Sequence, residues 1–320
     1  MVGKMKLVFL IDDTKTIGGG GYAQFKFAEH LSKRGHQVII FAVTKHRFLN
    51  DFFKLANLQM RFRGELPSFF KGVGRINELW NLIYTNLILK LYLKRNHNNI
   101  DYIIGYLRKS AIKAVKLGKK YNIKTVNFIF ENPVWMERRL GKKFLEEFKG
   151  RFKKSWEQTK DAYLKADILI PNSELTRKEC SAWLKKKIED PVYPGVEVYK
   201  INDNVKEENQ IIYVGRLNKY KNVNEIINAL AKIRNPPKLI IVGKGEEEGK
   251  LMELSKRLNV ICELKGSLTD KEKFNEIKKS IFMVFPSSFE GFGMPPAEAL
   301  TCGKPCICSD IPIFREIYED

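Results

Sequence analysis

Two carboxylates and two cations are the residues of this sequence best placed to do chemistry. Glu290 and Glu298 have seven residues between them in the run Pro286-Ser287-Ser288-Phe289-Glu290-Gly291-Phe292-Gly293-Met294-Pro295-Pro296-Ala297-Glu298-Ala299-Leu300. The apolar residues Ile281 to Phe285 before it predict a strand, and the helical pattern after it ends at Gly303 and Pro305, both stop signals. The run therefore reads as strand, glycine loop and helix N-terminus. In doubly wound α/β proteins such strand ends face the ligand crevice, with backbone N–H groups and the positive end of the helix dipole turned toward it. Glu290 opens the loop and Glu298 is expected in the first helical turn, so both carboxylates can reach one small, hydroxyl-rich, partly anionic ligand. Arg216 and Lys221 follow a second predicted strand, Ile211 to Gly215. An Arg fork contacts two oxygens and a Lys supplies a point charge, which suits a diphosphate. The competing readings are an acid-capped helix after a tight turn and two exposed basic residues in a loop.

The elements that must position these groups read as two α/β halves. A chain of 320 residues is too long for one ordinary α/β core and comfortable for two. Met5 to Asp12 predicts a first strand, Gly18 to Gly21 a glycine loop, Tyr22 to Leu31 a helix ended by Gly35, and Gln37 to Ala42 a second strand. That is a βαβ opening with glycines where a backbone must approach a ligand closely. Further strands are expected at Asp101 to Gly105, Lys124 to Phe130 and Ala166 to Pro171, with helices at about Ile76 to Lys94 and Ser110 to Tyr121. Polar residues Asn202 to Gln210 make the natural linker, so the domains are expected at 1–200 and 201–320. The second restarts with the strand before Arg216, a helix from Val223 to Ile233, and strands at Leu239 to Gly245 and Val260 to Gly266.

Composition narrows the class of partner. The apolar and charged fractions, 44% and 29%, are those of a soluble globular protein. The first strand is too short for a signal peptide, and Leu79 to Leu93, the most apolar stretch, is interrupted by Asn81, Asn86 and Lys90, so a cytoplasmic protein is expected. Cys180, Cys262, Cys302, Cys306 and Cys308 read as reduced thiols, chiefly small core residues rather than a metal set. Of the formal charge of +20, the whole excess lies in residues 1–200, with 39 Lys and Arg against 19 Asp and Glu; residues 201–320 hold 18 of each. Such a field attracts phosphates, anionic lipid headgroups or nucleic acid. Within the basic half, Leu140, Phe144, Phe148, Phe152 and Trp156 recur every four residues, with Lys142, Lys143, Lys149, Arg151, Lys153 and Lys154 between them. That pattern fits an amphipathic helix lying on an anionic membrane surface, although an aromatic stripe at helical spacing more often faces a core.

The late run, written E-G-F-G-M-P-P-A-E-A and followed by Ala299-Leu300-x-Cys302-Gly303-x-Pro305, resembles the signature of retaining nucleotide-sugar glycosyltransferases of family 4. The resemblance continues in Gly215-Arg216-Leu217 with Lys221-Asn222, and in the glycines before the first helix. It implies the GT-B architecture, two Rossmann-like doubly wound domains facing a cleft: a basic acceptor-side N-terminal domain and a C-terminal nucleotide-sugar donor domain. It implies that Glu290 contacts donor-sugar hydroxyls, that Gly291, Phe292, Gly293 and Met294 hold sugar and phosphate through loop amides, and that Glu298 grips the ribose. Arg216 and Lys221 would neutralise the diphosphate beside Gly215, Gly19 and Gly20 would approach it, and Leu264 to Leu268 would receive the base. At Phe130-Glu131-Asn132-Pro133 many members carry a His at the crevice mouth. Here Glu131 takes that place, either with the role of that His in orienting the reactive centre or as a surface carboxylate beside a turn proline. Members normally continue with further helices after the position of Asp320, so the C-terminal part is expected to be truncated.

The expected reaction is transfer of a hexose from a nucleoside diphosphate sugar to an acceptor hydroxyl with retention. No cofactor or metal is required, and no Asp-x-Asp motif is present to hold one. The basic half suits a lipid-linked or cell-surface glycan acceptor at the cytoplasmic membrane face, with peripheral membrane contact and no nucleic acid. The alternative is a non-catalytic nucleotide or polyanion-binding module, which leaves the paired carboxylates unexplained. A hydride-transferring dinucleotide enzyme is disfavoured because the second strand ends in Ala42-Val43-Thr44-Lys45, with no acid for a ribose.

Overall fold

The structure, a computed structural model, describes residues 3–11, 19–42, 59–60, 86–106, 108–130, 134, 151–198 and 205–318. The chain divides into two compact units, Met1–Pro194 and Gly195–Asp320, six residues ahead of the boundary expected at 200/201.

In the first unit the strands are β1 (Lys6–Ile11), β2 (Gln37–Ala42), β3 (Gln59–Met60), β4 (Tyr102–Gly105), β5 (Lys124–Ile129) and β6 (Ile168–Pro171). They form one parallel sheet in the order β3-β2-β1-β4-β5-β6. The described helices are α1 (Gly19–Lys33), α2 over 86–96, α3 (Arg108–Tyr121), α4 (Arg151–Lys165) and α5 (Glu174–Leu184). The apolar run of β1 is continuous because both faces of the sheet are covered. Leu7, Phe9 and Ile11 pack with Phe25 and Ala28 of α1 on one face. Val8 and Leu10 pack with Leu89, Tyr92 and Leu93 of α2 and with Ala114 and Leu117 of α3 on the other.

Gly19, Gly20 and Gly21, expected in a loop, are the first three residues of α1. The first four N–H groups of a helix have no intrahelical partner, so the glycines still offer free amides, but as a helix N-terminus. Of the aromatic stripe, the described member Trp156 is buried in α4, edge-on to Trp183 with centroids 5.8 Å apart and with the Arg108 guanidinium 4.9 Å over its ring. This position therefore faces protein, while Lys153 and Lys154 are exposed. Lys142, Lys143 and Phe148 lie outside the described residues, as does the side chain of Phe152.

In the second unit β7 (Gln210–Val214), β8 (Lys238–Val242), β9 (Cys262–Gly266), β10 (Met283–Phe285) and β11 (Cys306–Cys308) form a parallel sheet in the order β11-β10-β7-β8-β9. Its helices are α6 (Val223–Leu230), α7 (Glu248–Arg257), α8 (Asp270–Lys279), α9 (Met294–Thr301) and α10 (Pro312–Tyr318). Strand order reverses between β7 and β10. A crevice forms at such a reversal because the connections leave the two strands toward opposite faces of the sheet. The residues after these two strands are those that end in Arg216, Lys221 and Glu290.

The loops that follow β7 and β8 are laced by backbone. Gly215 N–H donates to the Val242 carbonyl (2.9 Å) and Leu217 N–H to the Lys244 carbonyl (3.0 Å). Gly243 adopts φ +145°, and a Cβ there would lie 1.8 Å from the Gly215 carbonyl oxygen. Gly243→Ala is expected to destabilise the second unit by about 2–4 kcal/mol through the strained φ and the forced separation of the two loops. Urea unfolding followed by far-UV circular dichroism measures it; an unchanged midpoint would contradict the close approach.

Candidate functional site

The loop after β10 and the turn after β7 are tied together at four points. Ser288 donates to the Tyr220 carbonyl from both N–H and Oγ, each at 3.0 Å. Asn222, in the left-handed region at φ +51°, donates from Nδ2 to the Pro286 carbonyl at 3.0 Å. The fourth tie is an ion pair between the Lys221 ammonium and Oε1 of Glu290, with side chains only 8% and 11% exposed. The ammonium also sits 5.1 Å from the ring centroids of Tyr220 and Phe285, whose negative faces favour a cation.

Arg216 lies beside this pair and is exposed. Its Nη2 donates to the Tyr220 hydroxyl at 3.3 Å, and its carbonyl accepts from the buried Tyr213 hydroxyl at 2.9 Å. Burial pushes the Tyr213 hydroxyl well above the ordinary tyrosine value, and the nearby Glu290 charge adds to the shift. Tyr213 therefore stays a neutral donor that pins the Arg216 backbone.

Glu298 is the fifth residue of α9, in its second turn rather than the first as expected, because the helix starts at Met294 behind Gly293. Its Oε1 accepts from the Lys273 ammonium of α8 at 2.8 Å, and Lys273 also reaches Asp270 at 3.1 Å. Burial disfavours the Lys273 ammonium, and the Glu298 and Asp270 carboxylates outweigh it, so the group titrates above the ordinary lysine value. Each expected carboxylate is thus held by a lysine: Glu290 by Lys221 and Glu298 by Lys273.

The loop that joins the carboxylates has its own clamp. Gly293 adopts φ +86°, and a Cβ there would meet the Phe314 ring at 2.4 Å. The Tyr318 hydroxyl donates to the Gly293 carbonyl at 2.7 Å. Phe314 and Tyr318 were not expected at the site; their only sequence signal is the three-to-four spacing of aromatic residues on α10. Pro295 and Pro296 have no N–H, which leaves Met294 as the amide donor at the start of α9. Phe292 and Gly293 are buried, and Gly291 is partly exposed at the head of the loop.

Other expected residues lie apart. Leu264 is on β9, in register with Ile241 of β8, two strands from β7, and Leu268 packs against the core cluster that contains Ile277 and Ala299. Gly19 and Gly20 belong to the first unit. Glu131 lies outside the described residues. Among the described residues there is no group of three or more His, Cys, Asp or Glu able to hold a metal ion.

This arrangement of cations at the reversal of a parallel sheet can be compared with known proteins. Residues 197–320 match the family model described as glycosyl transferases group 1. The match spans nearly all of the second unit. The chain is 30% identical over 166 residues to the N-acetylgalactosamine-N,N'-diacetylbacillosaminyl-diphospho-undecaprenol 4-alpha-N-acetylgalactosaminyltransferase of Campylobacter jejuni, covering 49% of this chain and 46% of the relative. It is 33% identical over 133 residues to an O-antigen chain mannosyltransferase of Salmonella typhimurium, covering 39% of this chain and 36% of the relative. The matches thus span less than half the length of these curated relatives. Among solved structures, Anabaena HepE in complex with UDP superposes with a TM-score of 0.73 at 17% identity, covering 99% of this chain and 84% of that one. The fold is GT-B, built from two Rossmann-like α/β units.

Lys273→Met removes the cation from a largely buried carboxylate, and a loss of about 3 kcal/mol at neutral pH is expected for the second unit. Because the folded lysine titrates above its unfolded value, the stabilising effect is present throughout the range below the ordinary lysine value. It fades as pH rises through the higher folded value. From neutral pH upward, the difference between variant and wild type should therefore shrink only in strongly alkaline buffer. Urea unfolding at a series of pH values reads both effects, and a difference that vanished on acidification toward neutrality would contradict this assignment.

Proposed function

We propose that this chain is a retaining glycosyltransferase moving a hexose from a nucleoside diphosphate sugar to an acceptor hydroxyl on a lipid-linked or cell-surface glycan. The observation that carries the reading is the buried Lys221–Glu290 pair, with Arg216 exposed beside it, at the reversal point of the second sheet. Cleavage of the bond between sugar and diphosphate leaves negative charge on the departing oxygens. Cations already fixed where that charge develops lower the barrier without reorganising in the reaction.

In this reading Arg216 takes two diphosphate oxygens and Lys221 a third, with the Met294 amide as a further donor. Glu290, with one oxygen on Lys221, offers the other to sugar hydroxyls, and Glu298, with one oxygen on Lys273, offers the other to the ribose. Leu264 and Leu268 would receive the base. Retention fits an acceptor whose proton passes to the departing phosphate. The complex of the Anabaena neighbour with UDP makes a uridine nucleotide the first donor to try.

A lipid-linked acceptor is favoured by the Campylobacter relative, whose name specifies a diphospho-undecaprenol substrate, and by the basic first half of the sequence. Exposed Lys153 and Lys154 of α4 suit an anionic membrane surface, each basic group adding about 1 kcal/mol near such a surface. Among the described residues no helix is long and apolar enough to cross a membrane.

A thermal-shift panel of UDP, GDP and ADP with their common sugar conjugates tests the donor. One nucleotide at about 100 times its dissociation constant should stabilise the protein by about 2.7 kcal/mol. The same nucleotide should fail to do so in Arg216→Ala. Binding of any polyanion, indifferent to Arg216, would instead favour a non-catalytic module.

A further inference from the structure

We propose that Cys306 and Cys308 are a dithiol modification site, oxidised reversibly to an intramolecular disulfide that loosens the loop carrying Glu290. This goes beyond the donor reading and does not depend on it. Side chains two apart on a strand share a face, and the two Sγ atoms lie 3.4 Å apart, while Ile307 between them is 58% exposed. Both cysteines are half-buried and unbridged. The hydrogen bond between the thiols draws the Cys308 thiol below the ordinary cysteine value and pushes the Cys306 thiol up. Burial raises the thiols of Cys262 and Cys302, and Cys180 is sealed in the first unit's core. Cys308 is therefore the one of the five thiols drawn toward the thiolate, and Cys306 lies in contact with it.

The strand geometry links this pair to the loop. Among the described residues β11 is an edge of the sheet and pairs only with β10, so it can distort without breaking a second ladder there. Residues two apart on an extended strand have Cα atoms roughly 6.6 Å apart, near the wide limit for a disulfide, so closing the bridge must shorten the end of β11. Cys308 is in register with Phe285, and Ser309 N–H donates to the Phe285 carbonyl at 3.4 Å. Phe285 stacks on Tyr213 with centroids 5.9 Å apart and carries the Lys221 ammonium 5.1 Å from its ring. A displaced strand end thus moves the platform under Lys221 and Glu290.

The chemistry is thiol–disulfide exchange with a small-molecule disulfide as oxidant. The Cys308 thiolate attacks one sulfur of the oxidant, forming a mixed disulfide and expelling one thiolate, which takes up the proton Cys308 lost. Cys306 then attacks Cys308 Sγ and expels the second small thiol. Two cysteine thiols are oxidised to one disulfide, and one small disulfide is reduced to two thiols.

The test treats the full reduced chain with oxidised glutathione. It reads intact mass, thiol count after denaturation and hydrogen exchange of the amides of 287–294. The expected result is a fall from five thiols to three with no glutathione adduct, and exchange in the loop faster by about tenfold, both reversed by reductant. In Cys306→Ser the reaction should stop at a glutathione adduct on Cys308, with loop exchange as in the reduced chain. The proposal is overturned if five thiols persist, if the bridge still forms in Cys306→Ser or Cys308→Ser, or if the oxidised loop exchanges at the reduced rate.

Discussion

The ammonium of Lys221 and the carboxylate of Glu290 lie 69 residues apart in sequence and meet almost out of solvent. Burying each charge costs several kcal/mol, and removing one partner alone typically costs 3–5 kcal/mol because the other is left stranded. Such a pair is a poor source of stability and a strong constraint on geometry. It requires the turn after β7 and the loop after β10 to sit together, and the bonds from Ser288 to Tyr220 and from Asn222 to Pro286 hold them there. Everything proposed for this site follows from two loops behaving as one body.

That body is braced from outside the ligand-facing side. Gly243 lets the loops after β7 and β8 touch, so the Arg216 backbone is anchored through Gly215 and Leu217. Gly293 lets Phe314 lie against the loop, and the Tyr318 hydroxyl fixes its carbonyl. Lys273 reaches across from α8 to hold Glu298. The side chains expected to touch a ligand are therefore positioned by residues that do not touch it, which is how a site of two carboxylates and two cations keeps its shape without ligand.

The unequal legibility of these features has physical causes. β1, β2, β7 and β8 are covered on both faces, so their sequences are continuous apolar runs that stand out at once. The family signature located Arg216, Lys221, Glu290 and Glu298, because glycines and prolines mark the loop between the carboxylates. What stayed hidden is pairwise: that Glu290 binds Lys221 and Glu298 binds Lys273 depends on which strands are neighbours, and no local spacing encodes that. Gly19 to Gly21 read as loop because glycine is a poor helix former, yet at a helix start that penalty is small and the free amides are useful. Trp156 illustrates the opposite limit, since an aromatic residue at helical spacing has the same pattern whether it faces a membrane or, as here, Trp183.

The most direct test of the central claim is isothermal titration of UDP and a UDP-sugar into the wild type, Lys221→Met, Glu290→Gln and the double variant. If the pair is the donor site, Lys221→Met should weaken both ligands by about 10–100-fold, the loss of one charge-assisted contact. Glu290→Gln should weaken the sugar conjugate by about tenfold while leaving UDP unchanged or tighter, since it frees the ammonium. The two changes should not be additive. Folded variants that bind both ligands as the wild type does would contradict the account.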